Sequence, residues 1–233
     1  MSSIKLSSIS FFCPAYNDGD NLPVLIPYVS KFLSEITDTF EIIIIHDGSP
    51  DNTGVVADRL AGELPNIRVI HHLKNLGYGA TLRDGFLAAK YDYIIYTDGD
   101  NQYDVREFMQ YLPLLENADV LSGYVTKKAA TFRRELQSFV YNWLIRILFL
   151  VNVRDINCAM KIYKRRALDS ITMKSTSCFI DSEMIIKSKK NGLIVMQFPV
   201  THFERRNGIA SGSKTKVILA TMRDMIRYRF GFL

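Results

Sequence analysis

Two aspartates flank a glycine in Thr97-Asp98-Gly99-Asp100-Asn101-Gln102. Alternate residues of an extended segment project to the same side, so the two carboxylates need not serve one ligand. A hard divalent cation takes oxygen ligands. Asp100, with the carbonyl oxygen of Gln102 beside it, offers such a set, and phosphate oxygens and water commonly complete the shell. A solvated acidic turn has the same composition, so the cluster gains weight from its company. In Asp47-Gly48-Ser49-Pro50-Asp51, Asp47 can accept hydrogen bonds from a base or ribose. Gly48 permits close backbone approach, and Asp51 reads mostly as the cap of the next helix. Asn75-Leu76-Gly77-Tyr78-Gly79-Ala80 supplies two glycines for tight turning beside a ligand. It is not the dinucleotide fingerprint, because it lacks the third glycine and follows the third strand instead of the first.

The elements that would position these clusters alternate. Ile9–Cys13 reads as a strand, and Asn21-Leu22-Pro23 as a helix start with Asn21 as cap. Phe40–His46 is a buried strand with four consecutive isoleucines. A helix to Glu63, a strand at Ile67–His71, a helix after the glycines and a strand at Tyr93–Thr97 follow. The pattern predicts an α/β fold with a mainly parallel sheet and helices on both faces. Ligands of such sheets sit beyond the carboxyl ends of the strands. Cys13–Asn17, Asp47–Ser49 and Asp98–Asp100 all fall at that edge. The second half is less regular. Helices are expected at Leu136–Val151, Leu168–Ile171, Ser182–Lys190 and Val217–Phe230, with strands at Ala159–Tyr163 and Ile194–Pro199. Arg205–Lys216 reads as a basic loop.

The 233 residues suit one domain. The composition, 48% hydrophobic and 23% charged, is that of a globular protein. The formal net charge of +5 favours anionic partners. Basic residues gather at Lys127–Arg134, Lys161–Arg166 and Arg205–Arg229, away from the acidic Asp98–Asp104 stretch. Aromatic residues do not interleave with the basic clusters as in a nucleic-acid-binding motif, so no nucleic-acid partner is expected. Cys13, Cys158 and Cys178 have no zinc or disulfide spacing and read as free thiols. Met1–Ser10 lacks a secretory pattern. Phe139–Val151 is too short to span a bilayer and contains Arg146. It reads as an amphipathic core helix, or as one partly inserted in a membrane interface through Trp143, Phe149 and neighbouring leucines.

In order and spacing, the clusters resemble family 2 glycosyltransferases of GT-A fold, in particular the branch of dolichol-phosphate mannose synthase and bacterial polyprenyl-phosphate glycosyltransferases. The series runs from Pro14-Ala15-Tyr16-Asn17-Asp18 through the three clusters above. It continues with Asp155–Lys161, Phe179–Glu183, Arg205-Arg206-Asn207-Gly208 and Ser213-Lys214. The resemblance implies a single catalytic domain over 1–233, with a nucleotide-sugar-binding half at about 8–124 and an acceptor-binding half at about 125–233. It implies that Pro14, Ala15, Tyr16 and Asp18 line the nucleoside pocket, Asp47 contacts the base, Asn75 and Gly79 adjoin the donor, and Asp98 meets the ribose region or the metal's surroundings. Asp100 and Gln102 would hold Mg²⁺ or Mn²⁺ on the diphosphate. Arg134 and Arg205, with Lys214, would hold donor or acceptor phosphates, and Ser138 follows Arg134 at the spacing of the family's acceptor-phosphate segment. Asp18 stands where the family usually has glutamate, and His46 where it commonly has a second aspartate. Gly123 replaces an arginine that often follows serine in the polyprenyl-phosphate branch.

The activity implied is inverting transfer of a hexose from a UDP- or GDP-sugar to a polyprenyl phosphate, at the cytoplasmic face of a membrane by a peripheral protein. A phosphate monoester is already largely anionic near neutrality, its second pKa being about 6, so it needs no dedicated base. A sugar hydroxyl acceptor would need one, for which Asp181 and Glu183 are candidates. A non-catalytic nucleotide-sugar-binding scaffold is the reading from another class, opposed by the intact Asp98, Asp100 and Gln102.

Overall fold

Ile42, Ile43, Ile44 and Ile45 have no solvent exposure, as a strand covered on both faces requires. They form the centre of β2 (Phe40–His46), which pairs in parallel with β1 (Ile9–Ala15) and β3 (Ile67–His71). The computed structural model describes residues 5–128, 132–205 and 215–233, with backbone alone at 127, 128 and 132–134.

The remaining strands are β4 (Tyr93–Tyr96), β5 (Val120–Lys128), β6 (Lys161–Lys164) and β7 (Val195–His202). The seven-stranded order is β3-β2-β1-β4-β6-β5-β7. β4 is parallel to β1. β6 is antiparallel to both β4 and β5, and β7 runs parallel to β5. Among the described residues, six strands therefore point one way and β6 alone is reversed. The expected mainly parallel α/β sheet is present. β5 was not anticipated, because Ser122, Gly123 and its lysine tail interrupt the apolar run that marks a buried strand.

Successive strand residues feed opposite faces. Phe11 joins a core beneath α1 (Leu22–Ile36) and α2 (Thr53–Glu63). Phe12 joins the core on the other side. That second core includes residues of α3 (Tyr78–Ala88), α4 (Phe132–Phe149), α5 (Arg165–Asp169), α6 (Ile180–Lys190) and α7 (Thr215–Arg229). Each fully buried Phe, Leu or Ile contributes roughly 1.5–3 kcal/mol.

Local signals set the helix ends. Pro23 lies in the first turn of α1, but Asn21 makes no side-chain cap bond there; its amide donates instead to Asp18 Oδ1 at 2.8 Å. Asp51 does serve the start of α2, accepting from the Thr53 N–H at 3.1 Å and its hydroxyl at 2.6 Å. α6 stops at Asn191-Gly192, with Gly192 at φ +74°.

Candidate active site

Strand direction gathers the site. The carboxyl ends of β1, β2, β4 and β7 lie along one edge, and so does the amino end of β6. Pro14–Asp18, Asp47–Ser49, Thr97–Gln102, the segment leading into Lys161, and Phe203–Arg205 are therefore neighbours, although as many as 191 positions separate them.

Asp100 is central. Its Oδ2 pairs with Arg205 Nη2, and its Oδ1 accepts from the Gln102 N–H at 3.1 Å. Gln102 ties this turn to the exit of β7: its Nε2 donates to Phe203 O, and its own carbonyl accepts the Phe203 N–H, both at 2.9 Å. That carbonyl keeps a second lone pair. Burial, then the neighbouring Asp100 and Asp181 carboxylates, raise the Asp98 pKa to about 8. Asp98 Oδ1 has no hydrogen-bond partner among the described residues. Burial foremost, with a contribution from Asp100, also raises Asp18, which is held by the Tyr16 N–H at 3.1 Å and by Asn21. Carboxylates thus crowd one edge with Arg205 set against Asp100. Among the described residues no group of three His, Cys, Asp or Glu side chains is arranged around a common metal position. A cation here would rest on Asp100 and the Gln102 carbonyl, with its other ligands from outside the protein. The unpartnered Asp98 oxygen and the oxygen-only donor set fit a hard divalent ion.

Asp47 is more committed than its sequence suggests. Its Oδ1 accepts from Leu76 N at 2.7 Å and lies 2.8 Å from His72 Nδ1, while its Oδ2 accepts from Gly77 N at 2.9 Å. His72 Nε2 lies 3.0 Å from Asp84 Oδ2. Asp47 therefore holds the 72–77 loop in place, leaving little of the carboxylate for a base. Gly48, at φ +57°, lets that loop close: a Cβ there would meet the Lys74 backbone at 2.5 Å. A Cβ on Gly79 would fall 2.1 Å from Ser177 O, so this glycine packs α3 against the 176–177 backbone. Asn75 is exposed at the loop tip and Tyr16 is half-buried. Ala15 is fully buried in the apolar core and contributes its carbonyl, which accepts the Asp47 N–H at 3.1 Å. Pro14 is half-buried, its carbonyl 2.6 Å from where a Cβ on Gly99 would stand. His46 is structural: its Nε2 accepts the Ser49 N–H at 3.0 Å and its Nδ1 lies 2.9 Å from His71 Nδ1.

A buried polar network supports this edge from below. Lys161 Nζ donates to Asp181 Oδ1 at 2.7 Å, Tyr96 OH at 2.9 Å and Cys158 O at 2.6 Å. The Tyr96 hydroxyl also donates to Asp181. Tyr78 hydrogen-bonds Asp98, and burial raises its own pKa well above the ordinary tyrosine value. Glu183 accepts from the Lys174 and Ser175 N–H groups at 3.0 and 2.8 Å and from Lys187 Nζ at 2.5 Å. Both sequence-level candidates for a general base are thus bound in structural pairs. His72, which has no metal-ligand spacing, and Asp84 were missed; the one sequence signal was that His72 directly follows β3 at the ligand edge.

In the second half, Ser138 lines a cleft of about 260 Å³ with Val125, Phe139, Trp143, Arg154 and Asp155. The Arg154 guanidinium lies over the Tyr124 ring at 4.6 Å. The absence of an arginine at Gly123 has a steric basis, because a Cβ would stand 2.9 Å from Cys158 Sγ and 3.1 Å from Met160. The Arg134 side chain and Lys214 lie outside the described residues.

With this geometry in place, comparison with known proteins is decisive. Residues 10–172 match the model of "Glycosyl transferase family 2". The chain belongs to glycosyl transferase family 2. The match contains the clusters on β1, β2 and β4 and the segment before β6. Among relatives, the chain is 30% identical over 204 residues to glycosyltransferase AglD of Haloferax volcanii, covering 82% of this chain and 32% of that protein. It is 29% identical over 218 residues to polyprenol monophosphomannose synthase of Mycolicibacterium smegmatis, covering 88% and 80%. The chain thus spans about a third of the first relative and most of the second. Glucosyl-3-phosphoglycerate synthase from Mycobacterium tuberculosis, solved with Mn²⁺, UDP and glucosyl-3-phosphoglycerate, superposes with a TM-score of 0.72 at 19% identity, over 97% of this chain and 81% of that one. The family 2 domain described here accordingly has the GT-A fold, with Asp98, Asp100 and Arg205 together at its ligand edge.

Proposed function

We propose that this family 2 domain transfers a hexose, with inversion, from a nucleoside-diphosphate sugar to a polyprenyl phosphate, using Mg²⁺ or Mn²⁺ at Asp100 and Gln102. The observation that carries the donor half is the Asp98–Asp100–Arg205 cluster at the carboxyl edge: an oxygen donor set, an unpartnered carboxylate oxygen and a guanidinium at one point. A divalent ion there supplies positive charge to the departing diphosphate. Arg205 adds fixed charge where negative charge develops in the transition state. The 72–77 loop, fixed by Asp47 and His72, forms one wall beside the donor.

The acceptor half rests on what Asp181 and Glu183 are doing. Their carboxylates are bound to Lys161 and Tyr96, and to Lys174, Ser175 and Lys187. With neither available to deprotonate a hydroxyl, an acceptor that brings its own charged oxygen is favoured. A phosphate monoester does so, with a second pKa of about 6. Its oxygen would attack the anomeric carbon as the nucleoside diphosphate leaves from the opposite face. The names of relatives, polyprenol monophosphomannose synthase among them, agree with this. Ser138, with Arg134 and Lys214, is assigned to the acceptor phosphate. The exposed apolar side of α4, with Phe139 68%, Trp143 53% and Ile147 52% accessible, suits contact with a lipid surface. No described helix is long and apolar enough to cross a membrane.

The test is transfer from a panel of UDP- and GDP-hexoses to undecaprenyl or dolichyl phosphate, with Mg²⁺, Mn²⁺ or EDTA. Metal-dependent formation of a lipid-phosphate sugar is expected. Transfer to a sugar hydroxyl but not to lipid phosphate would refute the acceptor, and lack of binding to every donor would refute the donor site.

A further inference from the structure

Asp100 has both carboxylate oxygens in use, Oδ2 by Arg205 and Oδ1 by the Gln102 N–H. The Asp100 side chain is 6% exposed and that of Arg205 23%, so the pair sits where water screens it weakly. A second cation on Asp100 would meet the guanidinium at contact range, and like charges that close repel strongly. Arg205 itself is incompletely satisfied in this position: its Nε is buried without a hydrogen-bond partner among the described residues. A guanidinium offers five donors in a planar fork, and this one spends a single nitrogen on Asp100 while another is left bare. That arrangement is poised to move to a better acceptor. A phosphate, which takes two parallel N–H bonds from arginine, is such an acceptor.

We infer that Arg205 is a built-in competitor of the divalent cation for Asp100, and that arrival of cation and diphosphate together drives its guanidinium from the carboxylate onto phosphate. The inference rests on the cation reading of Asp100 and adds an order of events. Cation alone must displace Arg205 with no new partner for it to take. Cation with nucleoside diphosphate displaces it onto an acceptor that uses its fork. Nucleotide and metal therefore bind with positive coupling, and the coupling passes through Arg205. By linkage the same factor applies in both directions.

The experiment is Mn²⁺ titration followed by the electron paramagnetic resonance signal of free Mn²⁺, with and without UDP (or GDP, where that is the nucleotide that binds), on the wild type, Arg205→Gln, Arg205→Lys and Asp100→Asn. Without UDP, Arg205→Gln is expected to bind Mn²⁺ about tenfold or more tightly than the wild type, as removal of a contact-range counter-charge requires. The gain should persist at about 0.5 M salt, because a half-buried contact is screened less than a through-space field. Arg205→Lys, which keeps the charge and guards against a folding artefact, should stay near the wild type. UDP should strengthen Mn²⁺ binding more in the wild type than in Arg205→Gln, and Asp100→Asn should lose the site. Equal Mn²⁺ affinity of wild type and Arg205→Gln, or a gain that vanishes in salt, would overturn the competition. If UDP and Mn²⁺ still bound together in that case, the donor reading would stand without it. Lack of joint binding of Mn²⁺ with either UDP or GDP by the wild type would overturn both.

Discussion

Lys161 and Asp181 form an ion pair at 2.7 Å with side chains 0% and 4% exposed, on strands and helices 20 residues apart in sequence. The Lys161 ammonium spends its three donors on Asp181, Tyr96 OH and Cys158 O, so it is fully hydrogen-bonded despite its burial. Removing one partner leaves a buried charge unpaired, a loss of about 3–5 kcal/mol. Lys161→Met and Asp181→Leu should each lower stability by that order in urea denaturation. The double variant should recover most of it, because an apolar pair of similar volume is tolerated. Additive losses would mean that the two residues act independently.

Two glycines on successive helices should respond to alanine in opposite directions. At Gly79 a new Cβ would collide with Ser177 O at 2.1 Å, whereas at Gly62 in α2 it meets nothing within 4 Å. Gly79→Ala is expected to cost about 1–3 kcal/mol through overpacking. Gly62→Ala should gain about 0.5–1 kcal/mol from helix propensity. Thermal unfolding of the two variants beside the wild type distinguishes them, and a stable Gly79→Ala protein would show that the 176–177 backbone yields easily.

Burial first, and then repulsion from His71, holds the His46 pKa below its ordinary value. The folded chain therefore takes up this proton less readily than the unfolded chain, whose histidine titrates at about 6.5. The stabilising contribution is complete above that pH. It is lost as the pH falls from there through the depressed folded value. His46→Gln should make the unfolding midpoint fall less steeply on acidification below about pH 6.5. An unchanged pH profile would remove His46 from the acid sensitivity of the fold.

Asp100→Ala should leave the unfolding midpoint nearly unchanged, because its main partner, Arg205, retains access to water. Transfer should fall by about a hundredfold or more, in line with loss of an electrostatic group at the reacting centre. The residual rate should no longer distinguish Mn²⁺ from EDTA. A variant that still responds to Mn²⁺ would place the cation elsewhere.

Phe139 and Trp143 lie on the same exposed side of α4, one turn apart. Replacing both with serine should reduce co-sedimentation with phospholipid vesicles more than tenfold, since each apolar side chain contributes roughly 1.5–3 kcal/mol when buried. UDP binding should be unaffected. Unchanged sedimentation would assign the lipid contact to another surface.

The amino-acid sequence by itself determined the strands and helices of the first half and the edge at which Asp47, Asp98 and Asp100 would emerge. Those signals are local: runs of isoleucine, a proline in a first turn, glycines after a strand, each readable within a window of ten residues. The family resemblance also added Arg205 to the site. What only the tertiary structure decided is which groups meet. Arg205, just after β7, reaches Asp100 across 105 positions because β7 runs the same way as β4, and Asp181 of α6 reaches Tyr96 across 85. Asp47 proves to be spent on Leu76, Gly77 and His72, Ala15 to be buried, and Glu183 to be a loop anchor. β5 escaped notice because a strand with a glycine and a basic tail is stabilised by its neighbours β6 and β7 and not by its own pattern. Periodicity fixes which face of an element is apolar, but a polar side chain at a strand end has several partners within reach. The choice among them depends on long-range packing that no short stretch of sequence encodes.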